Sequence, residues 1–320
     1  MEIEFVLPGR VDVGLVLRPV RRGNADPTFQ TDDRGLWYVT TTPEGAATMR
    51  LRYEFQGGDT QVACQFWGPG AQQAAGRVDG LVGGRDDTTG FQELLGLLRE
   101  APLPPEQAQL VSFVVQSWPK QGWRVPRSHN VWEAALAAVL EQKVTGKESK
   151  GAWRALAHEY GDQAPGPAPE GMKAPPTMAQ VRVVPSWKWR NLAVDRPRSD
   201  ALMRLVRTPE LLSRLPELSA AEARRQFTAI PGIGDWTYAE VAQRALGDAD
   251  AVSFGDYHLA RLVIFTLTGR RDGTDEELAE LLEPFRGQRY RAVRMFELHG
   301  AKPERRGPRM SVPAHRYGQS

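Results

Sequence analysis

The sequence predicts an α+β fold, a small N-terminal antiparallel β-sheet domain followed by an all-helical region. Three observations carry this. Up to about residue 90 the apolar residues fall in short β-branched or aromatic runs closed off by Gly, Asp and Pro clusters. From Phe91 onward the apolar segments lengthen to helical size and are opened by repeated cap residues. The composition, 41% hydrophobic and 25% charged, is that of an ordinary globular chain, which excludes wholesale disorder.

Taken in order, residues 2–7, 11–20, 36–42, 49–55 and 60–67 read as strands, and Gly57-Gly58-Asp59 between the last two is a hairpin signal. Residues 71–82 fit one helix laid across the sheet. Residues 102–105, with two adjacent prolines, mark a connection near the change of texture, so the two parts are placed at residues 1–95 and 96–320. Asn130 with Glu133 opens a helix whose Trp132, Leu136, Val139 and Leu140 share a face. Ser219 with Glu222 and Thr274 with Glu277 are capping boxes of the same kind. Residues 161–178 hold five prolines and form a loop rather than a helix. Gly247 and Gly269 stand where helices beginning near Asp235 and Asp256 stop.

Several function classes are excluded. A single cysteine, Cys64, rules out a disulfide framework, a thiolate zinc site and a four-cysteine iron–sulfur cluster. No apolar run approaches the roughly 20 residues of a membrane span, and the opening residues lack the pattern of a secretory signal. The expectation is a cytoplasmic monomer with no membrane contact. The net charge of +2 hides an asymmetry: residues 1–95 hold 9 Arg/Lys against 13 Asp/Glu, leaving 32 against 26 in the remainder. The second part, and residues 286–320 most of all, therefore suits a polyanion better than the first.

The segment with the most specific signal runs from residue 221. A helix-like stretch to Ile230 is followed by Pro231-Gly232-Ile233-Gly234-Asp235-Trp236-Thr237 and a second helix through Leu246. A tight Gly-x-Gly turn between two helices points backbone N–H groups outward beside a helix N-terminus, a site for a phosphate group. The glycines leave room both for the turn and for a DNA backbone. The plainer reading is an ordinary helical hairpin with a glycine turn. The longer string, with Trp236-Thr237 and then a helix, resembles the helix-hairpin-helix of DNA repair glycosylases. Asp256 follows Gly234 by twenty-two residues in Phe254-Gly255-Asp256-Tyr257 at a predicted helix start. That arrangement resembles the helix-hairpin-helix–Gly/Pro–Asp superfamily. Gly122-Trp-Arg-Val-Pro126, Glu141-Gln-Lys-Val-Thr145 and Val194-Asp-Arg-Pro-Arg-Ser-Asp200 are similar to their counterparts in 3-methyladenine DNA glycosylase II. The likeness covers roughly residues 120–310, and residues 1–95 only through a compatible strand pattern.

The resemblance implies an all-α helix-hairpin-helix glycosylase region of two helical subdomains with the active-site cleft between them. It implies a DNA glycosylase of base-excision repair that flips alkylated purines out of double-stranded DNA. Asp256 is then the catalytic carboxylate, stabilising positive charge on the sugar and orienting water; its other reading is a plain helix N-cap. Trp236 stands where strand-cleaving relatives carry a lysine nucleophile, so hydrolysis without lyase activity is expected. Its ring can stack on a cationic base or simply pack in the core. Tyr257 is a second base-pocket candidate, with burial as the alternative.

Pro231, Gly232, Ile233, Gly234, Thr237, Gln142 and Lys143 are the expected DNA contacts. Lys143 replaces the apolar wedge of the family's type member, and a solvated helix end is its alternative reading. No organic cofactor is expected. A monovalent cation, sodium or potassium, on the main-chain carbonyls of Thr228, Ile230 and Ile233 is implied by the resemblance alone. Of Trp187 and Trp189, core packing is favoured over the pocket. Arg286, Arg289, Arg291 and Arg294 fall partly on one helical face, open to phosphate contact or to solvent. His258 is expected to pack against a helix. The rival readings are a glycosylase for uracil, hypoxanthine or an oxidised purine, and a non-catalytic DNA-binding protein; a transcription regulator is the weaker third.

Overall fold

The computed structural model describes residues 1–118 and 122–302. The basic tail with Arg305, Arg306 and Arg309 lies outside the described residues.

Five strands, β1 (Glu2–Leu7), β2 (Phe29–Asp32), β3 (Gly35–Thr42), β4 (Gly45–Gln56) and β5 (Asp59–Trp67), form one antiparallel sheet in the order β1-β5-β4-β3-β2. The β4–β5 hairpin closes through Gly57 and Gly58 at φ 61° and 96°, the left-handed geometry that matches strand twist in a two-residue turn. Two local expectations are corrected and one strand is added. Within residues 11–20, Val13–Leu17 is a helix, α1, because Asp12 Oδ1 accepts from the Leu15 N–H at 3.0 Å and Val13, Val16 and Leu17 bury at helical spacing. Residues 71–82 form two short helices, α2 (Ala71–Ala75) and α3 (Val78–Leu81), separated at Gly76. β2 is a four-residue edge strand too short for its pattern to show.

The helices follow: α4 (Thr89–Glu100), α5 (Pro105–Ser117), α6 (Val131–Glu141), α7 (Gly146–Tyr160), α8 (Met178–Arg182), α9 (Lys188–Asn191), α10 (Arg196–Leu205), α11 (Pro209–Arg214), α12 (Ala220–Thr228), α13 (Asp235–Val241), α14 (Leu259–Thr268), α15 (Asp275–Leu281) and α16 (Arg289–His299). Residue 95 lies inside α4, whose Phe91 and Leu95 are buried. Of the expected boxes only Thr274/Glu277 is reciprocal. Ser219 caps Glu222 one way, because the Glu222 carboxylate is taken by Arg225 at 2.6 and 2.8 Å. Gly247 and Gly269 end their helices at φ 74° and 76° as expected.

Two large buried clusters organise the molecule. One joins the sheet and α1 to α4, α5, α14, α15 and α16; the other is built by the helices from α6 to α13. The chain passes from the first to the second between Val125 and Val131 and returns between Ala251 and Val252, the latter four residues before Asp256. The arginines of the last helix serve this packing. Arg291, 1% exposed, forms an ion pair with Asp86, Arg294 is buried beside Glu297 at 2.7 Å, and Arg289 holds Asp250. Neither alternative read from their spacing applies to Arg291 or Arg294.

Helix α6 is buried on every face from Val131 to Leu140, and Glu133 in its first turn faces the sheet. The carboxylate accepts from the hydroxyl of Tyr38, from Thr40 Oγ1 at 2.7 Å and from Asn130 Nδ2 at 3.0 Å. Burial nevertheless pushes it up to about 7 from the usual 4.5. Below pH 4.5 the group is protonated in folded and unfolded chains alike; between about 4.5 and 7 only the unfolded chain ionises, so folding stability falls as pH rises. Glu133→Gln removes this component, roughly 3 kcal/mol at most, and denaturant titrations of both proteins from pH 4 to 8 will converge at the acid end and separate towards neutrality.

Candidate DNA-binding and catalytic site

The hairpin between α12 and α13 is built inward first. Phe227 and Ile233 are buried, and the Tyr238 hydroxyl donates to the Ala220 carbonyl at 3.0 Å, tying the two helices together. The turn closes when the Ile233 N–H donates to the Ile230 carbonyl at 3.0 Å. Pro231, Gly232 and Gly234 remain exposed. Two side chains from distant elements then fix the turn. Gln142, at the end of α6, donates through Nε2 to the Gly232 carbonyl at 3.0 Å and to Thr237 Oγ1 at 2.9 Å. Arg204 of α10 donates to the Pro231 carbonyl at 3.1 Å.

The two glycines are not equivalent. Gly232 has φ 91°, and a Cβ there would stand 3.1 Å from that of Ala201, so the turn itself requires glycine. Gly234 has φ −106°, and a Cβ would meet nothing within 4 Å. Nothing in the chain's own packing requires glycine at 234; the open space lies on the solvent side of the turn.

Other expected residues take varied places. Thr237 is buried with its hydroxyl bonded to Gln142, so both side chains brace the turn instead of facing solvent. Trp236 is half-buried and Lys143 is exposed. The backbone of Lys143 is left-handed at φ 53°, a conformation that costs a non-glycine residue on the order of 1 kcal/mol or more. The carbonyls of Thr228 and Ile233 accept no hydrogen bond among the described residues, and that of Ile230 accepts one. Trp189 is buried, as favoured, whereas Trp187 is exposed.

Asp256 is reached through a braced segment. Gln243, in the π-helical turn that continues α13, donates to the Ala251 carbonyl at 2.8 Å and to Ser253 Oγ at 3.0 Å. The Ser253 hydroxyl donates to Glu240 at 2.6 Å, and the Asp256 N–H donates to the Ser253 carbonyl at 3.2 Å. Gly255 has φ 88° and its N–H donates to Asp275 at 2.6 Å. The Asp256 carboxylate accepts from the N–H groups of His258 and Leu259 at 2.8 and 3.0 Å, both through Oδ1. It caps α14, and Oδ2 has no hydrogen-bond partner among the described residues. Tyr257 is 69% exposed, with the Arg261 guanidinium 3.9 Å over its ring, so the burial alternative fails. His258 is exposed, not packed, because its place before the first helical turn points it outward. The clamp by Arg204 and the bridge through Ser253 were not read from the sequence, since nothing local marks partners ten to thirty residues apart.

Among the described residues no group of three His, Cys, Asp or Glu side chains could hold a metal ion, and burial pushes the Cys64 thiol up to about 12, leaving it unreactive. No described helix is long and apolar enough to cross a membrane.

This geometry can be set beside known proteins. A 3-methyladenine DNA glycosylase from Archaeoglobus fulgidus superposes with a TM-score of 0.71 over 92% of this chain and 96% of that one, at 16% identity. The chain has the fold of a DNA glycosylase. An 8-oxoguanine glycosylase/lyase from Clostridium acetobutylicum shares the glycosylase fold at a TM-score of 0.62, 13% identity, over 93% of this chain and 97% of that one. In sequence, the chain is 31% identical over 142 residues to the probable bifunctional transcriptional activator/DNA repair enzyme AlkA of Mycobacterium tuberculosis. That match spans 43% of this chain and only 28% of the relative's length. No family model matches.

The asymmetry of the two glycines gives a stability prediction. Gly232→Ala will lower the unfolding free energy by about 1–2 kcal/mol or more through the left-handed penalty, whereas Gly234→Ala will leave it nearly unchanged. Thermal or urea unfolding of the two variants decides it.

Proposed function

We propose that this protein is a monofunctional DNA glycosylase of base-excision repair, hydrolysing the N-glycosidic bond of alkylated purines such as 3-methyladenine. The observation that carries the reading is the exposed Pro231–Gly234 turn. Its second glycine is required by nothing inside the chain, and it sits on the same braced unit as a helix-opening carboxylate within a glycosylase fold. An exposed turn whose Gly232 and Gly234 N–H groups have no partner among the described residues suits a phosphate of duplex DNA, fixing position without reading sequence.

In this reading Lys143 and the hairpin hold the strand while the damaged nucleotide swings out, which is easiest for weakly stacked bases. Trp236 offers an aromatic face to an electron-poor base. As the bond between C1′ and the base nitrogen lengthens, positive charge grows on the sugar, and Asp256 stabilises it and orients the attacking water. Its Oδ1 is already used by the cap, which fixes the group and leaves Oδ2 for this work. Trp236, in the nucleophile position of strand-cleaving relatives, forms no Schiff base, so no lyase step follows. No organic cofactor takes part; a sodium or potassium ion on the carbonyls of Thr228, Ile230 and Ile233 would stiffen the turn. The 8-oxoguanine glycosylase/lyase with the same fold keeps a different lesion as the second reading.

Base release from methylated duplex DNA tests this. The native protein is expected to free methylpurines without nicking the strand before alkali and without a borohydride-trapped adduct. Asp256→Asn keeps an oxygen for the cap, so its melting temperature will stay close to native while release slows by about 10²–10⁴-fold. Equal release by both proteins would remove Asp256 from the mechanism. Release of only oxidised or deaminated bases would favour the second reading. DNA binding without any release would leave a binding protein.

A further inference from the structure

An acidic side chain stands where the proposed reading seats a polyanion. Asp235, immediately after Gly234, is more than half exposed, and so is its ion-pair partner Arg224 of α12, at 2.8 Å across the hairpin. The carboxylate has no other hydrogen bond among the described residues, and neither does the guanidinium. An exposed pair of this kind contributes little to folding, and the two helices are already tied by Tyr238 and by their apolar contact. The Arg224 guanidinium holds the Asp235 carboxyl below the usual carboxylate range, so it is charged at neutral pH.

Resting on the proposed reading of the hairpin, we propose that Arg224 and Asp235 form a charge latch: Asp235 occupies Arg224 in the free protein, and a DNA phosphate seated in the open space at Gly234 takes Arg224 over.

The exchange is open to the arginine by geometry and is opposed by the carboxylate it leaves behind. A guanidinium binds a carboxylate or a phosphate through the same planar fork, so the arginine loses no partner when it turns. The ionised Asp235 left beside the phosphate repels it and limits affinity for any duplex, damaged or not, because phosphate contacts carry no sequence information. The latch sets how strongly the protein holds undamaged DNA during search and product DNA after release. It is a specificity device of the indirect kind, lowering the common electrostatic part of binding so that the flipped base decides residence.

The experiment measures affinity for a fixed undamaged duplex by fluorescence anisotropy across salt concentrations, for the full chain. Asp235→Asn is expected to bind roughly threefold more tightly at about 50 mM salt and to converge on the native protein by about 200 mM, the steeper salt slope of about one added phosphate contact. Arg224→Gln is expected to bind roughly threefold more weakly, with the slope shallower by about one. The double variant should not equal the sum, since each change removes the other's partner. Lys143→Ala serves as the control for the hairpin reading itself and should flatten the slope by about one.

If both latch variants leave affinity and slope unchanged while Lys143→Ala still flattens it, the latch is wrong and the DNA reading stands. Weaker binding by Asp235→Asn together with a lowered melting temperature would make the pair a structural brace and overturn the latch. No salt-dependent binding by the native protein sinks the underlying reading as well.

Discussion

A helix buried on every side cannot leave its end groups to water, and the site depends on how α6 meets that constraint. Its first turn is closed by the Asn130 side chain and by Glu133, which reaches back to Tyr38 and Thr40 of the sheet. At the other end the Leu140 carbonyl is taken by Arg198 at 2.9 Å, itself only 5% exposed, and Glu141 pairs with Arg22. The next residue, Gln142, continues the same work into the hairpin turn. Orphaned backbone groups of this kind are costly when buried, so the polar side chains at both ends are as necessary as the apolar ones along the middle. One rod thus connects the sheet domain to the turn that faces solvent.

The second constraint is the return of the chain from the second core to the first. It occurs beside Ser253, and Glu240 and Gln243 from the helix that starts at the hairpin hold that segment. Arg244, from the same turn, pairs with Glu240 and donates to the Pro19 carbonyl. Turn, helix and the approach to Asp256 therefore form one rigid assembly. The role proposed for Asp256 needs geometry held to a fraction of an ångström, and a loop pinned at several points by a helix supplies that without burying the group itself. The carboxylate can cap α14 and still present its second oxygen to solvent.

Much of the basic character is spent inside the molecule. Arg198, Arg291 and Arg294 are buried, Arg244 is partly so, and all four are bonded to carboxylates or carbonyls. Lys143, Arg204 and Arg224 stand exposed around the hairpin, so a small net charge is compatible with a locally cationic surface there.

The sequence by itself determined the class of fold, the β4–β5 turn, the ends of α13 and α14, the glycine turn and the helix opened by Asp256, because each is written in residues close together whose backbone preferences are strong. Tertiary structure decided the rest. Val13–Leu17 became a helix where the sequence read as a strand, since burying Val13, Val16 and Leu17 outweighs a weak local preference. Thr237, Gln142, Arg291 and Arg294 turned inward, because a side chain's partner lies wherever another element passes, and that distance is not encoded in spacing. Gly232 and Gly234 look alike in sequence and only the folded turn separates them: one is fixed by its own φ, the other by what the surface leaves open.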